Sequence, residues 1–157
     1  MAVRTLPQGT RTAFGSASNL NSLANNAAKP LGAIDNSINK KPYAWVELTV
    51  TLGSSGISST GTIEWYLIQA LVNSAATDWQ DGIDPASTSD VASSIKNARR
   101  VRTSTANANS QVVRERFQLP VADPGKYWTI VALNKTGAAF ASSGNGAYYA
   151  DQQDDLS

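Results

Sequence analysis

The chain has 157 residues, 13 Lys and Arg against 12 Asp and Glu, a net charge of +1, and neither His nor Cys. That length allows one domain with its own core. The missing residue types exclude a Ser-His-Asp triad, a cysteine nucleophile, a disulfide framework and an ordinary zinc site.

Residues 1–41 lack Trp and Tyr and hold a single Phe, Phe14. They carry five bases (Arg4, Arg11, Lys29, Lys40, Lys41) against one acid (Asp35), a charge of +4. So little apolar surface does not offset the ordering entropy of a separate fold. The expectation is an extended N-terminal arm that orders on a partner, with Arg4, Arg11, Phe14, Leu20 and Leu23 as contact residues. Within it, Ser16 to Ala28 has Leu20 and Leu23 at helical spacing, but its four Asn favour disorder over a helix.

From Tyr43 the period becomes two. YAWVELTVTL puts Val46, Leu48, Val50 and Leu52 on one face and Trp45, Glu47, Thr49 and Thr51 on the other. A Gly/Ser loop, Gly53 to Gly61, leads to a second strand, Thr62 to Val72, apolar on both faces. Asn73 to Ala98 is irregular, with Asp90 placed to cap one helical turn. Two polar strands follow, Arg99 to Thr105 and Gln111 to Leu119, the latter ended by Pro120 and the Asp123-Pro124-Gly125 turn. Lys126 to Asn134 is another strong strand. Ala138 to Ser142 and Ala147 to Ala150 read as a closing hairpin through Asn145-Gly146.

Frequent turns and no convincing long helix indicate an all-β fold, an antiparallel β-sandwich or jelly roll spanning 42–150. Asp151, Asp154 and Asp155 give residues 151–157 the character of an acidic C-terminal tail with charge −3. No stretch approaches eighteen apolar residues, and the start MAVRTLPQGT has no apolar h-region. Neither a spanning helix nor a signal peptide is therefore expected, and a cytoplasm is the default site of synthesis.

Few residues invite chemistry. Glu47 and Glu64, on adjacent strand candidates, could form a glycosidase pair, although Glu47 is also the ordinary polar position of an alternating strand. Asp78, Asp81 and Asp84 are oxygen ligands at spacing three such as calcium loops cluster. The spacing is not the EF-hand's, and Asp-Gly and Asp-Pro are ordinary turn formers, so a surface loop is the preferred reading. Trp45, Trp79 and Tyr149 could build a sugar-stacking face. For Trp45, sharing its side with Glu47 and Thr49, subunit contact is the preferred use. Arg100 and Arg102 could line up beside Arg114 and Arg116 as a solvated, edge-protecting or subunit-contacting face. No aromatics interleave with them, which disfavours nucleic acid. The expectation is no catalytic set, no metal and no cofactor.

Leu133-Asn-Lys-Thr-Gly-Ala-Ala-Phe-Ala-Ser-Ser-Gly-Asn-Gly146, followed by Ala147-Tyr-Tyr149 and preceded by Tyr127-Trp-Thr-Ile-Val131, resembles small virion structural proteins of tailed bacteriophages. Gly61-Thr-Ile-Glu-Trp-Tyr-Leu67 after its Gly/Ser loop fits the same picture. The resemblance covers residues 43–150. It implies a particle component, foremost a capsid decoration (cement) protein, with tail, neck or fibre-base proteins as the structural alternative. It further implies contact with the major capsid protein or other virion subunits, a homotrimer, and assembly into the virion in the host bacterial cytoplasm. A carbohydrate-binding module stands as a second class of function.

Overall fold

The computed structural model describes residues 9–38, 41–70, 78–120 and 126–152. Nine strands are formed among them: β1 (Thr12–Ala13), β2 (Ala28–Pro30), β3 (Ile34–Asp35), β4 (Tyr43–Thr51), β5 (Thr62–Ala70), β6 (Arg99–Thr105), β7 (Val112–Pro120), β8 (Tyr127–Lys135) and β9 (Gly146–Gln152). They make two antiparallel sheets. Sheet A runs β1-β9-β4-β7, and sheet B runs β2-β8-β5-β6 with β3 also on β8. The protein is a β-sandwich.

Each sheet forms as the sequence pattern requires. In β4, Ala44, Val46, Leu48 and Val50 are buried while the alternate residues are half exposed, the signature of a strand with one face on a core. β5 and β8 are apolar on both faces because sheet B is covered twice. Ile63, Trp65, Leu67, Trp128 and Ile130 face sheet A. Ile68, Ala70, Val131 and Leu133 face outward, beneath Trp79, Ile83 and Val91 of the irregular 78–98 segment. Asp90 ties that cover down: its Oδ1 accepts from the amides of Ala92 at 2.9 Å and of Ala28 at 2.8 Å.

The largest correction concerns the N-terminal segment. Residues 9–38 are part of the domain and not an extended arm. Phe14, Leu20 and Leu23 lie in the central core at 2, 0 and 1% exposure, together with Leu31 and Ile34. β1 adds to the edge of sheet A, while β2 and β3 cover the edge of sheet B along β8. In place of a helix, Ala17–Leu20 makes a single 3-10 turn. The composition is polar because most of the segment's Asn side chains serve as hydrogen-bonding struts. Asn19 Nδ2 donates to the carbonyls of Pro30 (2.7 Å) and Ser87 (2.9 Å). Of the large apolar residues, Phe14, Leu20, Leu23, Leu31 and Ile34 reach the core, while Ile38 is exposed. The Arg4 expectation lies outside the described residues.

A second correction follows from the same packing. Ala138 to Ser142 and the last strand do not form a hairpin. Phe140 makes only an isolated bridge to Leu52, and β9 pairs with β4 and β1. The Asn-x-Thr-Gly stretch is a buried polar turn. Asn134 Nδ2 donates to Leu23 O and Ala138 O, both at 2.8 Å, and its Oδ1 accepts from the amide (2.9 Å) and hydroxyl (2.7 Å) of Thr136. Gly137, at φ 97°, donates its amide to Asn25 Oδ1 at 2.9 Å. A Cβ there would stand 2.8 Å from Gly56 O, so both the left-handed backbone and the close approach require glycine. Nor is 151–157 wholly a tail, since Asp151 and Gln152 belong to β9. Residues 153–157 lie outside the described set.

Burying Phe14, Leu20, Leu23, Leu31 and Ile34 contributes roughly 10 kcal/mol at about 2 kcal/mol per side chain, comparable with the whole stability of a domain. Deletion of residues 1–38 is therefore expected to abolish cooperative unfolding, and Phe14→Ala to cost about 3–5 kcal/mol in chemical denaturation. A truncated chain with an unchanged urea midpoint would contradict this packing.

Candidate functional site: the open face of sheet A

The two outer faces of the sandwich differ. That of sheet B is covered by the 78–98 segment, whereas the strands of sheet A present a regular grid of polar and aromatic side chains. Register fixes the grid. Glu47 of β4 stands between Tyr148 of β9 and Arg116 of β7; Trp45 stands between Ala150 and Gln118; Thr49 stands between Gly146 and Arg114. Directly opposed residues on antiparallel strands share a face and touch. Arg11, immediately before β1, joins the grid because Thr12 pairs with Tyr149.

The charged groups centre on Glu47. Arg11 Nε donates to Glu47 Oε2 at 2.9 Å, and Arg116 Nε lies 3.7 Å from Oε1. Arg11 also sits over the Tyr148 ring, its Cζ 3.5 Å from the centroid, and Arg116 stands 5.2 Å from the Trp45 ring centre. Planar guanidinium groups combine such stacking with carboxylate pairing in a way that lysine does not. Between these groups is a cleft of about 130 Å³ lined by Arg11, Trp45, Glu47, Arg116 and Tyr148 among others. Trp45 Nε1 is shielded from solvent and has no acceptor. Among the described residues no carboxylate pairs with the exposed Arg114. Among the described residues, Arg11, Arg114 and Arg116 are the basic groups of this face and Glu47 the acidic one.

The other expected site residues are dispersed. Arg100, Arg102, Arg114 and Arg116 do not form one row, because β6 and β7 belong to different sheets. Arg102 spans the open flank between the sheets, donating from Nε and Nη2 to Glu115 Oε2, each at 2.9 Å. Arg100 turns to the outer side of sheet B, where its Nη1 reaches Glu64 Oε1 at 3.2 Å. Glu47 and Glu64 therefore stand on opposite outer faces and are not a carboxylate pair. Trp79 belongs to the 78–98 cover and is turned inward onto sheet B at 3% exposure. Tyr149 packs edge-on against Phe14 and Trp128, with ring centres 5.4 and 5.8 Å away. Neither belongs to a surface platform. Asp81 accepts from the amides of Lys96, Asn97 and Ala98, each at 2.9 Å through Oδ2, so its carboxylate anchors a loop.

Phe14, Leu20 and Leu23 are core residues, which leaves Arg11, Trp45, Arg114 and Arg116 together on the face. Tyr148 and the central role of Glu47 were not legible from sequence. Alternation in Ala147-Tyr148-Tyr149-Ala150 puts one Tyr inside and one outside, but only the register to β4 decides which. Comparison with family models, with curated proteins and with solved structures finds no match.

Glu64 anchors a separate cluster. Burial alone would raise its pKa, but the Tyr66 hydroxyl (2.6 Å), Lys135 (3.3 Å) and Arg100 hold the carboxyl below its ordinary range. Burial and this bond to Glu64 push the Tyr66 phenol up to about 12 from its ordinary 10.0. A phenol raised on folding favours the folded state below its unfolded pKa and loses that contribution as pH climbs to the folded value. The stability advantage of the native chain over Tyr66→Phe is thus expected to be full below pH 10 and to fade by about pH 12. Urea midpoints across that window provide the check, and a constant gap would contradict the assignment.

Proposed function

We propose that this protein is a structural component of a bacteriophage virion, foremost a capsid decoration protein, that attaches through the open face of sheet A. The observation that carries this reading is the asymmetry of the sandwich. Among the described residues, the 78–98 segment covers one outer face and the other presents a grid of Arg, Trp and Tyr. Those three residue types dominate the energetics of protein interfaces, because each combines a large contact area with a polar group.

The strand order supports the same class. With β2 and β3 counted as one strand on β8, the chain crosses between sheets at every step except β5 to β6. We read this as jelly-roll connectivity, an architecture used in viral capsid and lectin domains alike. Fold alone does not choose between those uses; the face supports the first. Sugar stacking needs an open aromatic face, and here Arg11 lies over Tyr148 and Arg116 stands near Trp45. The cleft of about 130 Å³ is also well below the roughly 300 Å³ and upward of small-ligand sites. Docking of protein side chains suits it better. Repetition of such contacts in a homotrimer, the assembly we propose, would multiply modest affinities through effective concentration.

The protein is expected to co-purify with intact particles, and its absence from them would overturn the reading. In co-sedimentation with particles, Trp45→Ala combined with Tyr148→Ala is expected to weaken association at least about tenfold, as for hot-spot aromatics. The pair should leave the urea midpoint nearly unchanged, because both side chains point away from the core.

A further inference from the structure

We infer that the open edge of β7 is a strand-docking site. Its occupant is an extended, acidic segment of a partner protein that joins sheet A as a further antiparallel strand. The edge borders the face proposed above for attachment but works through main-chain groups and different side chains, so the inference goes beyond that reading.

The strand edges of the sandwich are not alike. Among the described residues β1 and β3 have two residues each and β2 has three, one of them Pro30, so none offers a template of useful length. β6 is guarded: its register to β5 shifts between Trp65 and Tyr66, and it carries Arg99, Arg100 and Arg102. β7 has no such irregularity. Its nine residues pair with β4 without a register shift, from Tyr43 opposite Pro120 to Thr51 opposite Val112. That pairing uses the amide and carbonyl of every second residue and turns those of the others to the far side. Among the described residues no strand lies there. A long, regular edge of this kind is the template that strand addition requires.

Side chains along the edge specify the occupant. Arg114 points outward and is exposed, and among the described residues no carboxylate pairs with it. Val112, also outward, is an exposed large apolar residue at 41%. On the inner face Phe117 is only half-buried, packed against the core from one side. Opposed residues of antiparallel strands share a face. A carboxylate opposite Arg114, with apolar groups opposite Val112 and Phe117, therefore completes all three contacts. Running antiparallel, the occupant has the order apolar-x-x-Glu-x-apolar, its first apolar residue beside Phe117 and its second beside Val112. A second copy does not meet this description, since β7 presents Val112, Arg114, Arg116 and Gln118 outward and no carboxylate. A nucleic acid meets the guanidinium but lacks the alternating amides and carbonyls that a strand edge pairs with.

The test uses the full-length chain and a labelled peptide of sequence Ser-Thr-Leu-Thr-Ser-Glu-Thr-Val-Ser. Its companions are the analogue with Gln for Glu, two copies N-methylated at alternate amides in the two possible phases, and a single-stranded oligonucleotide. Binding is read by anisotropy, its place by hydrogen exchange of the β7 amides, and mass by light scattering. The Glu peptide is expected to bind about threefold tighter than the Gln analogue, the scale of a cross-strand charge pair. Arg114→Gln should remove that preference while leaving the main-chain contribution. N-methylation in the phase that faces β7 should weaken binding at least about tenfold, because each blocked amide leaves a carbonyl of the edge unpaired. The opposite phase should bind as the parent does, and exchange should slow across 112–117. No binding, equal effects of the two phases, equal affinity for Glu and Gln, or unchanged exchange in β7 would each overturn the inference. So would tighter binding of the oligonucleotide, or slowed β7 exchange with dimer mass before any peptide is added.

Discussion

The structure depends on where residues 9–38 go. Without that segment the sandwich would have an open flank at which the edges of β8 and β9 expose apolar surface and unpaired backbone. Phe14, Leu20, Leu23, Leu31 and Ile34 fill that flank, and β1, β2 and β3 take up the backbone groups. Asn134 fixes the arrangement. A buried amide is costly unless each of its polar atoms has a partner. Here the Leu23 carbonyl, the Ala138 carbonyl and Thr136 provide them. The turn after β8 thereby holds the N-terminal segment against the body. The same packing delivers Arg11 to Glu47, so the core and the candidate site share one cause.

Coverage of the two outer faces divides the molecule's tasks. Beneath the 78–98 segment, sheet B has a second apolar layer, pinned by Asp81 to 96–98 and by Asp90 to Ala28 and Ala92. Sheet A has no such cover among the described residues, and its polar grid is stabilised laterally by ion pairs and ring contacts. Exposed ion pairs contribute little to stability, typically about 0–1 kcal/mol. The arrangement of Arg11, Glu47 and Arg116 is better understood as positioning groups for contact than as a means of holding the fold.

Local patterns were legible wherever alternation was strong. The faces of β4, both apolar faces of β5 and β8, and the outward side of Arg114 and Arg116 all follow from a period of two. The N-terminal segment misled for a definite reason: composition averages over a stretch, whereas burial is decided residue by residue. A segment can be mostly polar and still be integral when its few apolar side chains reach the core and its Asn residues bond main-chain groups. The expected row of arginines failed similarly, since neighbours in sequence need not be neighbours in a sheet. β6 and β7 follow one another but lie in opposite layers, which sends Arg100 and Arg102 away from Arg114 and Arg116.

By itself the sequence determined the all-β class, the strand faces and the residue types from which a site could be assembled, because alternation and turn chemistry are local properties. It also determined that His and Cys chemistry has no place in this chain. Only the tertiary structure decided which residues meet. Register set Tyr148 and Arg116 on either side of Glu47, sheet order separated Glu47 from Glu64, and long-range packing turned an apparent arm into part of the core. Those outcomes depend on contacts between distant parts of the chain, and the spacing of residues along a single strand carries no record of them.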